Sequence, residues 1–236
     1  MSAEGLGARF DEIRERIARA AAHAGRDPAS VRLVGASKLQ PVASLAAAYA
    51  AGLRRFGENR VQEGVAKAAD LPGDVEWHLL GPLQSNKVRA AVGLFSHFHA
   101  IDRPKIARLL DQEGARAGRR LTGLVEVNLG GEESKHGFSP ERLAETIAPL
   151  AELEHLSVVG LMSIPPPGDE PEASRPWFRR LRALAAELAG RPEWRGRMTE
   201  LSMGMSDDFE VAIEEGATYV RVGTRLFGPR PAPQPA

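Results

Sequence analysis

Short apolar, β-branched runs alternate with longer segments of helical periodicity along the whole chain. This rhythm constrains the fold more than any single motif does. Strand-like runs lie at 31–37 (VRLVGAS), 54–58 (RRFGE), 75–80 (VEWHLL), 97–101 (HFHAI), 122–128 (TGLVEVN), 157–163 (SVVGLMS), 199–203 (TELSM) and 218–222 (TYVRV). Helical patterns fill the intervals at 41–51, 60–69, 84–93, 103–118, 139–152, 171–189 and 207–215. One more, over 4–24, precedes the first strand with Leu6, Phe10, Ile13 and Ile17 at helical spacing. Each strand but the last is followed by a helix. Strict alternation implies a parallel sheet, and eight repeats favour closure: an α/β fold, a single (β/α)8 TIM barrel with an extra N-terminal helix. The main competitor is an open doubly wound sheet. It would normally carry a Gly-rich turn after the first strand, and "GASKLQP" is not G-x-G-x-x-G. A chain of 236 residues suits one such barrel, expected over 1–230, with the proline-rich 231–236 as a disordered tail.

The 31 basic and 31 acidic side chains cancel, so no global charge favours nucleic acid or an anionic membrane. Cysteine is absent, which removes disulfides, zinc–thiolate sites and thiol catalysis together. The start of the chain lacks the apolar stretch of a signal peptide, and no window approaches a membrane span. A cytoplasmic protein is expected.

In a barrel of this kind the chemistry sits where the strands end. Lys38 follows the first strand, in "VGASKLQP", where an ammonium either caps the strand toward water or is kept for chemistry. Glu58 and Asn59 follow the second strand. At the eighth, Gly223-Thr224 offers a backbone without a side chain and then a hydroxyl, and Ser202 closes the seventh just before a helix. Loops seven and eight form the usual phosphate site of these barrels. Arg221 shares the face of Gly223 by the period of two, so it needs a partner if it points inward. An amine on strand one, a phosphate cradle on strands seven and eight and an arginine below it describe a site for pyridoxal phosphate, with Lys38 carrying the aldehyde as a Schiff base. An always-charged arginine disfavours a protonated ring nitrogen beside it, which weakens the ring as an electron sink.

These motifs, "VGASKLQP", "RFGENRVQE", "WHLLGPLQSNKVR", "VNLGGEESKHGF", "GLMSIPPP" and "LSMGMSDDFEVAIEEGATYVRVGTRLFG", resemble in order those of the pyridoxal phosphate homeostasis protein family. The resemblance covers essentially the whole chain. "SKLQP" and "SKHGF" depart from the commonest wording of that family without removing an assigned residue. It implies a barrel like the amino-terminal domain of alanine racemase, without that enzyme's second domain. It also implies that Lys38 is the Schiff-base lysine, Asn59 lies near the ring, Arg221 faces the ring nitrogen, and Ser202, Gly223 and Thr224 cradle the phosphate. Members are described as holding the cofactor and supporting its homeostasis, with no established catalysis. The expected partners are pyridoxal phosphate and PLP-dependent apo-enzymes, and the expected state is a monomer.

The alternative is an amino-acid racemase, which needs acid–base groups on both faces of the substrate carbon. The only tyrosines, Tyr49 and Tyr219, lie away from the strand mouths. A class I aldolase using Lys38 is a more distant third reading. His97 and His99 form an H-x-H that zinc sites can use, but no third ligand stands nearby, so packing is expected and no metal. His78 reads as a satisfied strand histidine. Lys135 and His136 read as solvated loop residues.

Overall fold

The computed structural model describes residues 3–132 and 136–229. Helix α1 (Ala3–His23) leads into eight parallel strands. These are β1 (Arg32–Ala36), β2 (Arg55–Glu58), β3 (Glu76–Leu79), β4 (His97–Ile101), β5 (Leu121–Glu126), β6 (Leu156–Met162), β7 (Glu200–Ser202) and β8 (Tyr219–Val222). They pair in chain order and close on themselves, with Val34 opposite Arg221 and Gly35 opposite Val222 at the seam. The expected barrel is therefore present, each strand within two residues of its expected bounds. Register shifts interrupt the β4–β5 and β5–β6 pairings. Residues 231–236, expected as a disordered tail, lie outside the described residues, as does Lys135.

The helices α2 (Val42–Ala50), α3 (Val61–Ala68), α4 (Val88–Leu94), α5 (Pro104–Ala117), α6 (Leu143–Ile147), α7 (Arg175–Ala189) and α8 (Phe209–Glu214) cover the outside. Two expectations need correction. The helix expected over 139–152 is broken into a short α-helix between two 3-10 turns, because Pro149 has no N–H to continue the ladder. The last strand does carry a helix, α9 (Thr224–Phe227), whose four residues are too few to show a period.

Side chains alternate between two compartments. Outward residues such as Phe56, Trp77, Phe98 and Val220 join the main core under the helices. Val34, Leu80, Ala100, Leu124, Met162 and Tyr219, from six different places around the barrel, fill its axis. Helix α1 buries Leu6, Phe10, Ile13 and Ile17. Burying each large apolar side chain is worth about 1.5–3 kcal/mol, which holds this extra helix in place. It packs on α2, α8 and α9, across the seam between first and last strands, and Arg16 forks onto Glu210 at 2.6 and 2.9 Å.

Candidate functional site

At the carboxyl mouth of the barrel a cavity of about 230 Å³ opens between β1, β2 and β6–β8. Its wall includes Lys38, Asn59, Arg221, Gly223 and Thr224, five of the six residues expected there. Ser202 is not on the wall. It is fully buried beneath it, accepting from Arg221 Nη1 at 2.6 Å and lying 2.7 Å from His99 Nδ1. The serine after the seventh strand that does line the cavity is Ser206, whose Oγ accepts from the backbone N–H of Gly223 at 3.3 Å and of Arg225 at 3.4 Å. The turn at Gly204, with φ of 89°, separates the two serines; its carbonyl accepts from Arg221 N at 3.0 Å, which pins the loop to β8. Asp207 also lines the wall, its carboxylate 3.6 Å from Arg225.

Lys38 rides on a tight turn in which Gln40 N donates to Ser37 O at 3.0 Å. Leu39, next to it, has φ of 62° and is 56% exposed, an uncommon conformation for a branched side chain. A buried clasp holds this turn. Lys67 Nζ donates to Ser37 O at 2.8 Å, Glu58 Oε1 at 2.9 Å and Glu63 Oε1 at 2.6 Å. Glu63 in turn accepts from Leu39 N at 2.5 Å, and Ser37 Oγ donates to Glu58 at 2.6 Å. Burial pushes the Glu58 carboxyl up, against the pull of Ser37 and Lys67. Sequence reading missed Lys67 and Glu63. Their spacing of four on α3 was visible, but that spacing is common on helix surfaces and did not reveal burial.

On the opposite wall Arg221 is buried, with Nη2 donating to Ser163 O at 3.1 Å. Among the described residues no carboxylate forks onto it; burial lowers its pKa to about 10, while the fields of Asp208 and Glu126 raise it. Ser163 Oγ and Glu126 Oε2 are buried polar atoms without a hydrogen-bond partner. Asn59 is held close to the cavity because Gly81 lies under it: a Cβ at Gly81 would stand 2.6 Å from Asn59 O. Asn59 also borders a second, open cleft of about 570 Å³ that includes Arg60, Lys87, Arg103 and His136.

Among the described residues one group brings metal-ligating types together: Glu76, His78 and His97. One ligand atom from each lies within 4.8 Å of the others, and the two imidazoles stack at 4.4 Å with 16° between planes. Arg55 Nε lies 3.3 Å from Glu76 and supplies the positive charge there. The further ligand types that the sequence did not show beside His97 thus come from β3, and hydrogen bonds already engage them, His78 Nε2 with Glu76 at 2.7 Å and His97 Nδ1 with Ser96 Oγ at 2.9 Å. His78 and His99 are both buried within the barrel, hydrogen-bonded to each other at 2.9 Å.

Comparison with known proteins places these features in context. The profile of the alanine racemase N-terminal domain matches residues 9–231. A pyridoxal phosphate homeostasis protein of Aquifex aeolicus is 45% identical over 223 residues, covering 94% of this chain and 97% of that protein. The protein of the same name from Escherichia coli is 41% identical over 223 residues, covering 93% and 94%. Among solved structures, PipY of Synechococcus elongatus with PLP bound superposes with a TM-score of 0.82 at 41% identity, covering 94% of this chain and all (100%) of that one. An alanine racemase of Clostridium difficile shares the fold alone, with a TM-score of 0.68 at 16% identity over 86% of this chain and 52% of that one.

Proposed function

The chain belongs to the pyridoxal phosphate homeostasis protein family, and from that premise we propose that it binds pyridoxal phosphate in the cavity at the carboxyl mouth and serves homeostasis of that cofactor. The observation that carries the reading is one wall with a lysine at one side and a buried arginine at the other, closed by a turn open at Gly223. The residues fit the group. A Cβ at Gly223 would lie 3.2 Å from Ala36 O and narrow the wall where a phosphate would pass.

When bound, the cofactor supplies an aldehyde that can condense with a lysine amine. Lys38 is the wall's amine. The Gly223–Thr224 backbone and the Ser206 hydroxyl would hold the phosphate, and Asn59 would flank the ring. Arg221, which cannot accept a proton, would donate to the ring nitrogen and keep it in its accepting form.

The same wall supports holding rather than turnover. Tyr49 reaches outward to Asp74 at 2.6 Å, and Tyr219 is buried in the barrel axis, so neither lines the cavity as a second base. Borohydride treatment of the loaded protein is expected to fix the cofactor on the peptide containing Lys38, and Lys38→Ala to abolish the visible absorbance band. A band unchanged in Lys38→Ala removes the assignment of Lys38. Racemisation of L- or D-alanine at about 10 per second, an ordinary enzymatic rate, overturns the non-catalytic reading.

A further inference from the structure

Among the described residues, Arg221 is a buried cation without a carboxylate fork, and its side chain hydrogen-bonds only a serine hydroxyl and a backbone carbonyl. Isolated charge in such a place is very costly. From Arg221 a continuous line of hydrogen bonds leads away from the cavity. Ser202 Oγ lies 2.7 Å from His99 Nδ1, His99 Nε2 lies 2.9 Å from His78 Nδ1, and His78 Nε2 lies 2.7 Å from Glu76 Oε1.

The direction of every bond in this line follows from its two ends, a guanidinium that only donates and a carboxylate that only accepts. A guanidinium has donors and no acceptor, so Ser202 Oγ accepts from it. Its second lone pair could accept from His99 as well, but the ionised Glu76 at the far end has acceptors only and a neutral His78 must donate to it from Nε2, so the Ser202 hydroxyl proton goes to His99 Nδ1. An accepting Nδ1 puts the proton of a neutral His99 on Nε2, where it donates to His78 Nδ1. By the same step His78 carries its proton on Nε2 and donates it to Glu76, a carboxylate that ends the line as an acceptor. Burial holds both imidazoles below the usual histidine range, His99 well below it, with the nearby charge of Arg221 adding to the effect. His78, in turn, draws Glu76 down to about 2. The line begins on a cation, ends on an anion that is partly exposed at the other mouth, and leaves no member unsatisfied.

We propose that Glu76, His78 and His99 form a one-way hydrogen-bond chain along the barrel axis that, through Ser202, positions the Arg221 guanidinium at the cavity wall. Nη1 is fixed by the chain and Nη2 by Ser163 O, which sets the plane of the guanidinium and aims its remaining N–H groups. The three are positioning residues. Their effect on cofactor binding rests on the function proposed above, while the chain itself is a property of the empty protein.

The test reads the two separately. In ligand-free protein with nitrogen-15 in its histidines, long-range proton–nitrogen correlation near neutral pH should show His78 and His99 both neutral and both protonated on Nε2. His99→Phe, which cuts the chain, should weaken pyridoxal phosphate binding about tenfold, the loss of one charge-assisted contact. Borohydride trapping on Lys38 should persist in that variant. His99→Gln can accept from Ser202 and donate to His78, and it should restore most of the affinity. Glu76→Gln keeps an acceptor at a partly exposed position and should leave the tautomers unchanged while binding weakens a few-fold. A histidine found protonated on Nδ1 or cationic overturns the chain. So does a dissociation constant unmoved in His99→Phe when Arg221→Met raises it. If wild-type protein takes up no cofactor, the proposed function fails, and the histidine spectra still decide the chain.

Discussion

Replacing Lys67 by methionine keeps the hydrocarbon stem and deletes the charge that gathers Ser37, Glu58 and Glu63. Lys67 is 7% exposed and Glu58 is 0% exposed, so the carboxylate left behind has no water to turn to. Glu63, at the edge, can rehydrate. Removing one partner of a buried pair costs about 3–5 kcal/mol, which for a chain this long lowers the melting temperature by about 6–20 °C. The cost has a pH signature. Glu58 already sits above its ordinary value of 4.5 through burial, and loss of Lys67 raises it further. An acid whose folded pKa exceeds its unfolded one contributes stability below the unfolded value and loses it as pH rises through the folded one. The deficit of Lys67→Met relative to wild type is therefore largest near pH 7.5 and shrinks toward about pH 5. Urea denaturation followed by circular dichroism at both pH values measures this, and Lys67→Met combined with Glu58→Gln should recover most of the loss. A variant within about 1 kcal/mol of wild type at the higher pH refutes the reasoning, since the clasp would then contribute no more than a surface pair. A deficit that grows on acidification refutes it equally.

Two other outcomes are expected. Burial lowers His97 to about 4 and bonding to His78 lowers Glu76 to about 2, so both stabilise the fold at neutral pH. Stability should fall as pH drops from about 6.5 toward 4 through His97, by on the order of 3 kcal/mol, and further below through Glu76; His97→Gln should flatten the first part of an acid-unfolding curve. Gly81→Ala sets a Cβ 2.6 Å from Asn59 O, so chemical denaturation should show a loss of about 1–3 kcal/mol and titration a weaker cofactor complex.

The barrel was legible because a parallel strand buried on both faces and a helix buried on one leave different periods in the chain. Boundaries slipped where strands end in loops that continue their direction, as at 122–128, observed as Leu121–Glu126. Lys38, Gly223 and Thr224 could be placed on the cavity wall because a rim residue is marked by standing at a strand end, and Arg221, inside β8, because the period of two puts it on the face of Gly223. Ser202 and Ser206 both stand at the end of the seventh strand, in "LSMGMSDD", and only the turn at Gly204 decides which hydroxyl faces the cavity. Lys67 and the histidine line were out of reach for a different reason. The partners of Lys67 include Ser37, just past β1, and Glu58 of β2, those of the histidines come from β3, β4, β7 and β8, and no local spacing records which strands become neighbours across a barrel.

The cavity stands at the seam where β8 returns to β1. Lys38 belongs to the first strand's exit and Gly223 to the last one's, so a ligand gripping both ties together segments that are remote along the chain and near in space. Binding then acts as a rivet across the final joint of the barrel. Opening that joint, the step that undoes the α1 strap and lets the sheet unroll, would require the ligand to be released first, and the loaded protein should outlast the empty one against proteases that attack opened chains.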